Sequence, residues 1–118
     1  KAALDSLGYS HAVAYDYDLE NLNYYSNKSG SWQKEFISDV FTPYYDIFVD
    51  SQDRASIVYD CVYYHQENGQ WIESTHCVVP AGYREGFRSF QIDNTDIAHG
   101  LVQYRGGLWY VEFPRDYQ

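Results

Sequence analysis

Three times along the chain a glycine stands two residues ahead of a tryptophan, in Gly30-Ser31-Trp32, Gly69-Gln70-Trp71 and Gly107-Leu108-Trp109, and there is no other tryptophan. The indoles fall 39 and 38 residues apart. A recurrence at that period marks one supersecondary unit used repeatedly, and it constrains the fold before any finer feature. A second motif keeps step with it. An apolar residue and an aspartate open each unit, in Leu4-Asp5-Ser6, Val49-Asp50-Ser51 and Ile92-Asp93-Asn94. Three positions after each aspartate comes Gly8, Asp53 or Asp96, and six positions after it comes His11, Ser56 or His99. An apolar stretch ending in tyrosine follows each time. Tyr24-Tyr25 and Tyr63-Tyr64 precede Trp32 and Trp71 by the same intervals.

The 118 residues are read as a single β domain over 1–118, with units of approximately 1–39, 40–80 and 81–118. Phe, Trp and Tyr make up 19% of the chain, a composition that suits pleated, half-buried strands. The spacing predicts strands over 11–17, up to Tyr25, and over 32–37, 45–49, 56–59, 62–65, 71–79, 87–92, 98–104 and 108–113. Asn and Gly turn signals separate them, Asn68-Gly69 being the strongest hairpin signal. The break from Pro80 to Gly86 reads as a loop, and Pro114 to Gln118 as a tail or a further strand.

The formal net charge of −9 disfavours nucleic acid and anionic membrane surfaces, which need clustered Lys and Arg. No apolar run approaches the roughly 18–20 residues of a membrane span. The aromatic, acidic composition points to a secreted, extracellular setting. There Cys61 and Cys77 become a candidate disulfide, because the Asn68-Gly69 turn places Cys61 one position from facing Cys77. The other reading is two free buried thiols. Asn27-Lys28-Ser29 is a glycosylation sequon on a predicted turn.

The pattern Asp-Ser-x-Gly-x-x-His-x-Val-x-Tyr, followed by a tyrosine-rich strand and Ser-Gly-Ser-Trp, resembles the blades of secreted lectin-like and sialidase-like β-propellers. The first unit matches well, the second with a deletion between its second and third strands, and the third only at its ends. The resemblance implies an all-β fold of three antiparallel propeller-blade-like repeats, tryptophans packed between blades and sugar pockets at blade junctions. The Arg and Glu of fucose-binding propeller lectins have no counterpart here, nor does the Asp box of sialidases. Three blades cannot close a ring, since propellers run from about four to eight. The chain is therefore expected to form a homo-oligomer, most simply two copies in a six-bladed ring, or to belong to a longer chain. The alternative is a single up-and-down β-barrel.

The expected function is an extracellular binding module, lectin-like and carbohydrate-binding, acting through Tyr17, Asp18, Tyr25, Trp32, Tyr64 and Trp71. Aromatic faces stack on sugars, and a turn carboxylate accepts from sugar hydroxyls. The competing reading of the tryptophans is a repeated core anchor. A structural subunit of an extracellular filament or surface assembly is the second functional reading, and a small barrel enzyme or ligand carrier the third. No catalytic residue, metal or cofactor is expected. Asp50 with Asp53, Asp93 with Asp96, and the cluster of Asp16, Asp18 and Glu20 read as turn chemistry rather than calcium ligands. Zinc on Cys61, His65, His76 and Cys77 is rejected, because Cys61 and His65 lie about 13 Å apart on one strand. His11 and His99 are expected to satisfy backbone groups at strand entrances.

Overall fold

A computed structural model describes residues 1–39, 45–59, 62–75, 86–104 and 107–113. Among them there are eleven strands and no helix. Strands β1 (Ala2–Leu4), β2 (Ser10–Asp16), β3 (Asn21–Ser26) and β4 (Gln33–Ser38) form one antiparallel meander. Strands β5 (Tyr45–Val49), β6 (Ala55–Tyr59), β7 (Val62–Glu67) and β8 (Gln70–Thr75) form a second. Strands β9 (Gly86–Ile92), β10 (Ala98–Tyr104) and β11 (Gly107–Phe113) form a third. Each sheet is open and made of consecutive strands, so the single up-and-down barrel is not formed. Hairpins this short pair neighbours locally and leave each sheet to bury its faces against the next.

The stacking is sequential. Strand β5 packs against β1 and β2, and β9 against β5 and β6. One core joins the first two sheets, centred on Val13, Leu22, Tyr24, Ile47 and Ile57. A second joins the last two through Val58, Tyr63, Phe90 and Val102. The middle sheet is thus covered on both faces, and all five residues of β6 are buried. Ala55, Ile57 and Tyr59 face the first sheet, and Val58 faces the third. In β2, by contrast, His11 and Val13 on one face are buried while their neighbours are only half-buried.

The three aspartate turns share one geometry. Asp5 Oδ1 accepts from the amides of Leu7 and Tyr9, Asp50 Oδ1 from Gln52 and Arg54, and Asp93 Oδ1 from Thr95 and Ile97, all at 2.8–3.1 Å. The third residue after each aspartate has positive φ: Gly8 at 86°, Asp53 at 61° and Asp96 at 64°. The turn chemistry expected of these aspartates is what forms, and Asp16 does the same for the amides of Asp18 and Leu19. Asn68 and Gly69 both have positive φ between paired Glu67 and Gln70, the two-residue hairpin their sequence predicts.

Cys61 and Cys77, the expected loop from Pro80 and the tail from Pro114 lie outside the described residues. Strand β1 had no predicted counterpart, since a three-residue strand carries too little periodicity.

Candidate functional site

Register defines which positions are equivalent. His11 faces Ser26, Ser56 faces His65 and His99 faces Glu112; two residues further along, Val13 faces Tyr24, Val58 faces Tyr63 and Leu101 faces Tyr110. Tyr24, Tyr63 and Tyr110 therefore occupy one place in three sheets. Trp32 and Trp71 likewise share one place in the first two sheets, each preceding the residue paired with Ser26 or His65. Trp109 does not: it lies on the third strand, one residue before Tyr110. The third Gly-x-Trp is a coincidence of spacing, and the repeat is carried by the aspartate turns and the tyrosines instead. The expectation of three matched indoles is corrected accordingly. Trp32 and Trp109 are each 60% exposed, whereas Trp71 is half-buried.

The histidines are also corrected. They bond side chains rather than backbone groups. His11 Nε2 lies 2.9 Å from Asp5 Oδ2, and Nδ1 lies 2.6 Å from the Tyr24 hydroxyl. A neutral imidazole that donates from Nε2 to the carboxylate must accept at Nδ1 from the tyrosine O–H. The His11 hydrogen bond holds the Asp5 carboxyl below its ordinary range, and burial pushes the Tyr24 phenol up. His99 lies in the same way between Asp93, at 2.6 Å, and the Tyr110 hydroxyl, but here the phenol gives its one proton to Glu112 at 2.7 Å and so does not donate to the ring. In the second sheet Arg54 replaces the histidine, with Nε 2.9 Å from Asp50 Oδ2 and a further ion pair to Glu67.

Above the His11–Tyr24 pair opens a cleft of about 360 Å³ between the first and second sheets. Ser26, Lys28, Ser29, Gln33 and Glu35 form its first wall. Gln52, Asp53, Arg54, Gln66, Asn68 and Gly69 form the opposite wall. The aspartate turn and the β7–β8 hairpin bring the second wall forward. At one side Trp71 closes the junction: its indole meets the Tyr24 ring edge-on at 5.0 Å, and its Nε1–H donates to Glu35 Oε2 at 2.9 Å. Across the junction Asp53 accepts from the Ser6 amide at 2.8 Å and the Ser6 hydroxyl at 2.5 Å. Asp96 binds Ser51 in the same bidentate way, at 2.9 and 2.7 Å. The second aspartate of each pair is thus a clamp on the preceding sheet. Among the described residues no group of three His, Cys, Asp or Glu side chains is placed to hold a metal ion.

None of the six residues singled out from the sequence lines this cleft. Tyr25 and Trp32 lie on the outward face of the first sheet. Tyr64 and Trp71, at the same places in the second, face the first sheet and join its core. Tyr64 stacks on Tyr59 at 5.7 Å and donates to Glu73; burial is the largest influence raising its phenol. Tyr17 and Asp18 sit in the β2–β3 turn, Tyr17 with its ring edge on Tyr15. The cleft residues that sequence reasoning passed over include Ser26, Gln33 and Gln66 on strands and Gln52 in a turn, while His11, Tyr24, Asp53, Asn68 and Gly69 carry sequence signals that read as fold and turn chemistry. Asn27 uses its side-chain oxygen to accept from the Ser10 amide, which fixes the turn that carries Lys28 and Ser29.

The chain matches no family model, no curated protein and no solved structure.

Proposed function

We propose that the chain is a run of three propeller-blade-like units belonging to an extracellular binding module, and that the cleft between the first two units binds a small carbohydrate. The observation that carries this reading is the composition of the cleft walls. Gln33, Gln52, Gln66 and Asn68 each carry a side-chain donor and acceptor; Ser26 and Ser29 add hydroxyls, Lys28 a donor and Glu35 an acceptor. Sugar hydroxyls both give and receive hydrogen bonds, so mixed amide and hydroxyl walls match them better than a surface of one charge. The volume lies within the range of small-molecule sites. The site differs from the aromatic platform expected from sequence, because Trp71 and Tyr64 spend their faces on the junction. The Asp5–His11–Tyr24 chain fixes the hydroxyl at the cleft floor. Its recurrence at Asp93–His99–Tyr110, away from this cleft, supports a positioning role for it.

A glycan array on the full chain, followed by calorimetry, tests the reading. Binding to at least one glycan class is expected, weakened about tenfold or more by Gln33→Ala or Gln52→Ala, a loss of roughly 1.4 kcal/mol. Absence of any glycan binding at high protein concentration, or binding indifferent to both substitutions, refutes it.

A further inference from the structure

The contact that joins the first two units is left open at both ends of the stack. Within the stack, the second unit covers the first: Trp71 lies on Tyr24, Ile47 packs in the core that holds Val13, and the Asp53 carboxylate clamps Ser6. Val13 is 0% and Tyr24 4% exposed as a result. In the third unit the equivalent Leu101 is 40% and Tyr110 60% exposed, and Leu108 beside them is exposed too. Nothing among the described residues covers that face. At the opposite end, Trp32, the counterpart of Trp71, stands exposed on the outward face of the first unit with Phe36 and Leu4. The residues on that face follow from register: Lys34 and Phe36 lie opposite Tyr25 and Asn23, and so point away from Tyr24.

The two ends are thus the two halves of one contact already made inside the molecule. We infer that a second copy of this chain docks head to tail, placing Trp32 of one copy on the Tyr110 and Leu101 face of the other. Exposed apolar patches at both ends of a stack are unfavourable in water, and this contact covers both. The charges agree, since Lys34 lies on the head face and Glu112 beside Tyr110 on the tail face. The contact is heterologous, so two copies that satisfy both ends close a ring of six units. One part of the internal junction is missing. The position of Asp53 and Asp96 is Gly8 in the first unit, so no carboxylate clamps Asn94, which stands where Ser6 and Ser51 do. The junction between copies is therefore weaker than the junctions within one. Gly8 has φ of 86°, near the values of Asp53 and Asp96, and a Cβ there meets nothing within 4 Å. An aspartate at this place has room and carries only the strain of a positive φ, which Asp53 and Asp96 already bear in the equivalent turns.

Sedimentation of the full chain from about 1 to 100 μM is the experiment, with circular dichroism to verify that every variant is folded. The wild-type chain is expected to associate. Trp32→Ala and Tyr110→Ala should each weaken association about tenfold or more, and Gly8→Asp should tighten it. Mixing the Trp32→Ala and Tyr110→Ala chains should partly restore association, because each supplies the half the other lacks. A chain that stays monomeric throughout overturns the inference. Association that neither alanine variant weakens, or that mixing fails to rescue, overturns it as well.

Discussion

Trp32 and Trp71 occupy one place in two units, yet replacing them with alanine should have unequal effects. The indole of Trp71 is half-buried, meets Tyr24 edge-on at 5.0 Å and donates to Glu35 at 2.9 Å. Removing a fully buried Trp costs about 3–5 kcal/mol, and half-burial scales that to about 2 kcal/mol. The aromatic pair accounts for about 0.5–1.5 kcal/mol of it. The hydrogen bond to Glu35 is exposed and adds about 0.5 kcal/mol, toward the low end for its kind. Trp71→Phe keeps a ring against Tyr24 and loses the N–H, so it should cost about 1 kcal/mol. Trp32 is 60% exposed, and Trp32→Ala should stay within about 0.5 kcal/mol. Urea unfolding separates the cases at a protein concentration low enough to keep the chain monomeric. With a slope of roughly 1–3 kcal/mol/M, Trp71→Ala moves the midpoint down by about 1 M while Trp32→Ala leaves it nearly in place. Equal shifts for the two alanine variants would refute the claim that the second unit covers the first through Trp71.

Two further outcomes follow from the polar chains. Tyr24→Phe removes the hydroxyl from a buried imidazole nitrogen and should cost about 1–3 kcal/mol in the same unfolding measurement, whereas Tyr110→Phe, at the exposed copy, should cost less than about 0.5 kcal/mol. Stability should also fall with acid. The His11 bond to Asp5, the Ser6 bonds to Asp53 and the His99 bond to Asp93 lower all three carboxyls. The folded chain then binds protons less readily than the unfolded one, so this stabilisation is complete above the ordinary carboxylate pKa of about 3.9 and is lost as pH falls below it. Urea midpoints at pH 5 and pH 3 test the sign; a midpoint that holds or rises at pH 3 contradicts it.

Much of the architecture is legible in the amino-acid order because it depends on neighbours in sequence. Asp5, Asp50 and Asp93 reach amides two and four residues on, Asn68-Gly69 closes a hairpin by its own backbone preference, and alternating apolar residues define which strands exist. These are local energies, and a local reading finds them. What only the tertiary structure decided is which copy of a repeated residue is covered. Trp32 and Trp71 share one sequence setting, Tyr24 and Tyr110 and likewise Val13 and Leu101 share one place in the strand register, and each pair parts ways because a second sheet lies over one and not the other. The cleft lies beyond sequence for the same reason, since its two walls come from different units and its amides carry no periodicity. The Asp53 and Asp96 clamps had a sequence signal in their spacing, but their partners, Ser6 and Ser51, stand more than forty residues away. Backbone preference acts over a few residues, whereas burial acts across the stack, and here burial selects among side chains that the sequence presents as equals.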